Sequence, residues 1–582
     1  MKILKKDIII VTVLILICSF LSFYNLGTKR IPESYWTSEY TDDAVVVEFK
    51  EEIDLKYLVV FYGYGEGKYL VSGSVDGITW EDIRFLEKEY TDMYIWKWEE
   101  ITPEPDVEIT REGVRLKYLK IQASEINTRE ISIGELIFCD VDSYLIKPKN
   151  IDIEAAKLFD EQYTNEDITY KNSIYFDEVY FVRTAYEYLN KLPIYENTHP
   201  PLGKLLIASS ITIFGTNTWG YRTFGVTAGI LIVFLVYIFS KKLFNSIFIS
   251  TMASLLMMFD FMRFTQSRIA TVDTFVTLFV LASFLFMYLY SVYKNKGKKA
   301  LVFLFLSGAF WGLGCSTKWN AVYSGLGLGM IYFKITYDTF VKLKPTSKNK
   351  KTFNKENATK KLLVSDLICG FAFFVIVPVI IYLSTYIPFV NNERNNYNDD
   401  SFIRIVIDNQ KSMFDYHSTL VDTHPYQSRW YQWVIDSKPI WYAIEYLNDG
   451  KVSTIAAFGN PIIWVPGLVS IIFLLRRNLS KKYRDPIASF ILIAYFSGFV
   501  PYLIISRITF IYHYFPFTPF IVLAIVYVMN ILLKKDKKFI TGIILYVALA
   551  IIVFFIYFPV LSGVPASSDY VEKLRIFRTW IF

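Results

Sequence analysis

The chain has 582 residues, 53% of them hydrophobic and 18% aromatic, with a mean hydropathy of +0.32. This composition excludes an ordinary soluble protein, and its repeated long apolar runs imply a polytopic membrane protein. The net charge of +6 calls for no nucleic-acid partner, because Lys and Arg fall mostly between the apolar runs. The four cysteines offer neither a disulfide framework nor zinc spacing.

In chain order, the first apolar run, from Ile8 to Leu26, is long enough to span and lacks a convincing small-residue cleavage site, so it reads as a retained first helix. About eleven spans are predicted, at 8–26, 222–239, 246–263, 272–290, 300–315, 319–336, 362–386, 461–475, 487–505, 513–533 and 539–558. Six basic clusters orient them: Lys2 to Lys6, Lys241-Lys242, Lys294 to Lys299, Lys342 to Lys361, Arg476 to Arg484 and Lys534 to Lys538. With the amino terminus inside, all six face the cytoplasm and the carboxyl terminus lies outside. Leu202 to Phe214 would break this alternation as a full span and is predicted to be a juxtamembrane or re-entrant helix.

The predicted organisation is a first helix (1–27), an external β module (35–140), an outer loop with juxtamembrane helices (150–221), spans 2–7 (222–386), an outer loop (387–460), spans 8–11 (461–558) and an outer tail (559–582). Within 35–140, short alternating or β-branched runs recur: Ala44 to Phe49, Tyr57 to Tyr62, Tyr69 to Ser74, Met93 to Trp98, Val114 to Ala123 and Ile131 to Phe138. Turn signals at Asp76-Gly77 and Glu112-Gly113 separate them, which predicts an all-β sandwich. The stretch from Tyr69 to Trp80, with Leu116 to Ile121 and Arg129 to Ile133, resembles discoidin-like domains. That resemblance implies loops that bind sugars or lipid surfaces; the alternative is a spacer packed on the catalytic face.

The residues able to do chemistry gather on the predicted outer side. Asp177-Glu178 lies in an aromatic segment, where apolar neighbours would raise a carboxylate's pKa and a nearby cation would lower it. Pro200-Pro201 fixes a turn before a helix whose first N–H groups could receive an anion, with Lys204 adding positive charge. Asp260, Arg263, Arg268 and Asp273 crowd one turn between spans, where ionisable groups default to function or mutual pairing. Lys318, Arg429 and Arg507 add cations at other outer turns, and all four histidines, at 199, 417, 424 and 513, lie on this side. Anchoring at the membrane surface is the plain alternative for each cation. Together they suggest a pocket for a phosphate or pyrophosphate and a sugar, with aromatic rings to stack on it.

Phe176 to Phe181, Thr198 to Ile207, Tyr221-Arg222, Gln266-Ser-Arg268, Gly314 to Trp319, Ser428 to Tyr431 and Tyr512-His-Tyr514 resemble the protein O-mannosyltransferase family of C-type (GT-C) glycosyltransferases. The resemblance spans about 150–582 and implies a polytopic helical fold, a polyprenyl-phosphate hexose donor, a Ser/Thr hydroxyl acceptor on secreted proteins and inversion at the anomeric carbon. It makes Asp177 the base, with Glu178 shaping the site. His199, Lys204, Arg222, Asp260, Arg268, Asp273, Lys318, Arg429, Arg507 and His513 become the substrate-binding candidates. A cell-wall polymer or lipid acceptor, and a carbohydrate sensor or transporter, are the alternatives. Asp177, Glu178, Asp260 and Asp273 could hold a divalent cation (Mg or Mn), although a cation-rich phosphate pocket argues that none is required. Two features depart from the family. Its usual Asp-Val-His-Pro-Pro reads Asn197-Thr198-His199 here, one carboxylate short. The β-trefoil that eukaryotic members carry in the later loop does not fit within 387–460.

Overall fold

The computed structural model describes residues 5–101, 113–151, 155–159, 168–294, 296–343, 363–394, 401–421, 423–447 and 449–582. Most of the basic Lys342–Lys361 linker and part of the Glu112-Gly113 turn lie outside them. Two compact units emerge, one of residues 26–186 with 210–221, the other of 1–25, 187–209 and 222–582.

In the first unit, the period-2 runs form two five-stranded sheets. One has the order Trp36–Ser38, Ile131–Cys139, Tyr57–Tyr62, Trp96–Glu100, with Leu145–Ile146 paired to Ile131–Cys139. The other runs Pro148–Ile151, Ala44–Leu55, Val114–Ile126, Gly67–Ser74, Glu81–Lys88. Alternate residues of both sheets, among them Leu58, Val60 and Tyr62 against Val47, Tyr69 and Leu119, share one buried core. Burying one face of each sheet against the other makes the sandwich. Five of the six predicted runs lie within strands and Met93 to Trp98 overlaps the strand Trp96–Glu100, while Trp36–Ser38 and Glu81–Lys88 are strands that the sequence reading missed.

The second unit is helical. Among the described residues nine helices are long and apolar enough to cross a membrane, or ten if Ile247–Met258 and Phe261–Ser267 form one span bent by 58°. Asp260 causes the break: its Oδ1 accepts the Arg263 N–H at 3.0 Å and restarts the helix, while Oδ2 accepts Trp464 Nε1–H at 2.7 Å. The predicted 319–336 segment is a helix, Ala321–Leu343, but Gly325, Gly327, Gly329 and Lys334 dilute its apolar character and it falls short of that standard. Leu202–Phe214 has 13 residues, about 20 Å of helix, too short for a hydrocarbon core of about 30 Å. The 387–460 segment holds a helix, Phe402–Thr419, and a hairpin, Ile440–Tyr446 with Lys451–Ala457, which Ala566–Ser567 of the tail extends to three strands.

Buried cations staple this unit. Arg268 donates to the carbonyls of Ser22, Tyr24 and Asn25, each at 2.7 Å, and to that of Ser562 at 3.4 Å, so it ties the end of the first helix to that of the Phe539–Ser562 helix. Arg263 reaches Ser22 Oγ at 3.1 Å and the carbonyls of Met257 and Met258. A guanidinium so deep must have its N–H groups satisfied, and these carbonyls do it.

Candidate functional site

In the sandwich unit, the chain enters the Glu178–Asn190 helix through Phe176, whose φ of +52° lies in the left-handed region that a bulky residue adopts at a cost of about 1–3 kcal/mol. The half-buried Asp177 caps the helix start, its carbonyl accepting the Tyr180 N–H at 3.2 Å. Glu178 is fully buried, and its Oε2 accepts the Tyr175 N–H at 3.3 Å. The two neighbours therefore differ in kind: Asp177 has access to solvent, and Glu178 is a folding element.

In the helical unit, the His-Pro-Pro-Leu-Gly-Lys turn packs onto two other motifs. Leu202 N–H donates to the Ser316 carbonyl at 3.0 Å. A Cβ at Gly203 would meet Val272 Cγ1 at 2.4 Å and Thr317 Cγ2 at 3.1 Å, so glycine permits this close approach. The first N–H of the Leu202 helix is thereby spent on protein. Lys204 is likewise committed. Its ammonium, 1% exposed, donates to Glu196 Oε2 at 2.6 Å and to the Glu196 and His199 carbonyls, each at 2.7 Å.

Glu196 was not foreseen. Its Oε1 accepts from His199 Nδ1 at 2.8 Å, from the Thr198 N–H at 3.1 Å and from the Thr198 hydroxyl. Burial alone would raise its pKa, but the Lys204 ammonium and His199 hold the carboxyl far below its ordinary range. The carboxylate that position 197 lacks is thus present one residue earlier. Burial lowers the His199 pKa more than Glu196 raises it. With Nδ1–H given to Glu196, the neutral ring keeps Nε2 as an acceptor.

His199 lines a cavity of about 400 Å³ with Lys318, Tyr323, His417, Arg507 and His513. Lys318 pairs with Asp273 at 2.8 Å and lies 5.4 Å from the centre of the Tyr512 ring. Ser428 and Thr509 exchange hydrogen bonds, N–H to O at 2.8 Å and Oγ1–H to O at 2.7 Å, which docks the Ser-Arg-Trp-Tyr turn on the Tyr-His-Tyr segment. Trp433 then stacks on His513 at 6.1 Å and 10°. His417, absent from the predicted set, bridges the site. Arg507 Nη1 donates to its Nδ1, and its Nε2–H donates to the Thr198 carbonyl at 2.9 Å. A guanidinium can only donate, so this tautomer is required. Burial, then Arg507, pushes the His417 pKa down to about 4. Arg507 also lines a second cavity of about 550 Å³ with the exposed Arg429.

Of the predicted residues, the structure brings together His199, Lys318, Arg507 and His513 around one cavity, with Asp273 behind Lys318, Lys204 behind His199 and Arg429 in the adjoining cavity. Asp260 and Arg268 sit instead in the helix junctions described above. Arg222 is fully buried in the Thr218–Phe244 helix and is not a wall of either cavity. Asp260 and Asp273 each face a protein donor, and among the described residues no three His, Cys, Asp or Glu side chains converge as a metal site.

A family model described as dolichyl-phosphate-mannose-protein mannosyltransferase matches residues 166–391, and one described as the C-terminal four-transmembrane region of protein-O-mannosyltransferase matches 402–580. The sandwich precedes both. A polyprenol-phosphate-mannose–protein mannosyltransferase of Mycolicibacterium smegmatis is 26% identical over 453 residues, 68% of this chain and 85% of the relative. One of Mycobacterium tuberculosis is 25% identical over 450 residues, 68% and 84% of the two chains. In fold, the chain is similar to the Saccharomyces cerevisiae protein O-mannosyltransferase Pmt1-Pmt2 complex bound to the sugar donor, with a TM-score of 0.60 at 15% identity over 70% of this chain and 89% of that one. With both family models matched in succession over most of the chain, the chain belongs to the protein O-mannosyltransferases, polytopic membrane proteins of the GT-C fold.

Proposed function

We propose that this protein is an inverting glycosyltransferase that moves mannose from a polyprenyl-phosphate carrier to Ser/Thr hydroxyls of secreted proteins, with its active site on the outer face of the plasma membrane. The observation that carries this reading is the cavity lined by Lys318, Arg507, His199 and His513 in a chain of this family. A sugar phosphate brings its own leaving group, so the reaction needs no strong general acid. It needs one carboxylate to take the acceptor's proton as the hydroxyl oxygen attacks the anomeric carbon, and that role falls to Asp177. It also needs fixed positive charge where the departing phosphate gathers its electrons, and Lys318 and Arg507 supply it. Attack opposite the phosphate inverts the anomeric centre. The two cations lining the cavity support a transfer that proceeds without a divalent metal.

Purified protein given radiolabelled polyprenyl-phosphate mannose and a secreted acceptor protein tests the reading. Label is expected on Ser/Thr hydroxyls, undiminished by a chelator. Label on a cell-wall polymer or lipid, or a preference for the glucose donor, would replace the acceptor or the sugar in this reading. Loss of transfer in the chelator would restore a metal.

His417 gives a second measurement. His417→Leu removes the acceptor that aims Arg507, and the donor KM is expected to rise about tenfold, the cost of one hydrogen bond to a charged group. His417→Gln keeps an acceptor and a donor and should fall between. Equal donor KM values in all three proteins would show that His417 does not aim Arg507.

A further inference from the structure

We infer that the β-sandwich is a clamp that sets the position of Asp177, and that Glu66 and Arg183 are positioning residues for the transfer reaction. This rests on Asp177 being the base. The helix that starts at Glu178 carries Arg183 little more than one turn further on, and Arg183 is 3% exposed. Its Nη1 pairs with Glu66 Oε1 at 2.9 Å, and its guanidinium lies 5.5 Å from the centre of the Tyr64 ring. Tyr64 also stacks on Tyr186, one helical turn beyond Arg183, at 5.5 Å.

The turn that presents Glu66 is built for this. It reads Tyr64-Gly-Glu-Gly67, with φ of +95° at Gly65 and +157° at Gly67. A Cβ at Gly65 would lie 2.0 Å from the Glu130 carbonyl oxygen. The Glu66 backbone is fixed on both sides, its N–H by Thr128 Oγ1 at 3.0 Å and its carbonyl by the Asn127 N–H at 2.9 Å. A charge held on so rigid a turn restrains its partner, whereas a mobile surface pair would not.

A second turn of the same sandwich grips the chain ahead of the helix. Ile174 N–H donates to the Tyr94 carbonyl at 3.1 Å, and Trp96 N–H to Ser173 Oγ at 3.3 Å. Asp177 therefore sits between two restraints, one at 173–174 and one at 183–186, both supplied by sandwich residues. The left-handed Phe176 between them persists only if its surroundings hold it.

The test is steady-state transfer by the full-length protein carrying Glu66→Gln, Arg183→Met, or the exchange Glu66→Arg with Arg183→Glu, beside Asp177→Asn. Misplacing a reacting group by about 1 Å can cost about 100-fold. The single variants are expected to lower kcat by about 10- to 100-fold, with donor KM near wild type, a lowered melting temperature where Glu66→Gln strands the buried Arg183 charge, and part of the rate restored in the exchange. Glu66→Asp should also recover part. Wild-type kcat in the single variants overturns the clamp. So does a loss of melting temperature and donor affinity in proportion to kcat, which would make the pair merely structural. If Asp177→Asn itself transfers at the wild-type rate, the assignment of the base fails instead, and the two failures are told apart.

Discussion

Asp177→Asn is expected to lower kcat by about 10²- to 10⁴-fold, the ordinary worth of a positioned general base, and to leave the donor KM within about twofold. The substitution suits the question because asparagine caps a helix start about as well as aspartate. The hydrogen bonds that begin the helix run to the Asp177 carbonyl, which the change does not touch. Shape and fold are kept, and only the ability to take a proton is lost. Glu178→Gln is the contrast. Glu178 is fully buried and accepts a backbone N–H, so its replacement should act on stability ahead of rate. Radiolabel transfer at saturating donor measures the first effect and a melting curve the second. A near wild-type kcat for Asp177→Asn would remove Asp177 as the base, whatever Glu178 does.

The fold was legible where physics acts locally. Runs long enough to cross a bilayer need no tertiary context, and the period-2 strands of the sandwich were readable for the same reason. Tyr57–Tyr62 appears with the predicted boundaries. The break at Asp260 was not readable as a bend, because a capping aspartate between two apolar stretches looks like a charge in a turn. Arg263 and Arg268 misled for a related reason. Sequence reports the depth of a cation and not its direction: Arg263 points at the Ser22 hydroxyl and the Met257 and Met258 carbonyls, and Arg268 at the carbonyls of Ser22, Tyr24, Asn25 and Ser562.

The site divided in the same way. Lys318, Arg507, His199 and His513 were legible from their motifs and do line one cavity. His417 was passed over because it lies on an amphipathic helix with no motif around it. Its role depends on Thr198 and Arg507, which are 219 and 90 residues away in sequence. Glu196 was missed because the family pattern directs attention to position 197. What the buried Lys204 needs is a carboxylate within reach, and the turn lets the preceding side chain provide it to Lys204 and His199 alike. The spacing of Glu196, His199 and Lys204 was visible and would have been the signal.

Glu196→Gln is therefore expected to be the most destabilising single change in the site. Lys204 is 1% exposed, and removing its partner charge leaves an ammonium buried among carbonyl oxygens. Breaking a buried pair in this way costs about 3–5 kcal/mol, while the glutamine carbonyl oxygen still offers His199 an acceptor. The pH dependence follows from the direction of the shift. The folded carboxyl titrates below its unfolded value, so its contribution is fully present above about pH 4.3 and is lost as pH falls towards the folded pKa. Melting temperatures in detergent should differ most between wild type and Glu196→Gln near neutral pH and converge as the medium is acidified. Adding Lys204→Met to Glu196→Gln removes the stranded charge and should recover most of the lost stability, because an apolar replacement of both partners is often neutral. If Glu196→Gln melts with wild type at neutral pH, the carboxylate does not hold this turn together, and the absence of an aspartate at 197 has to be offset elsewhere.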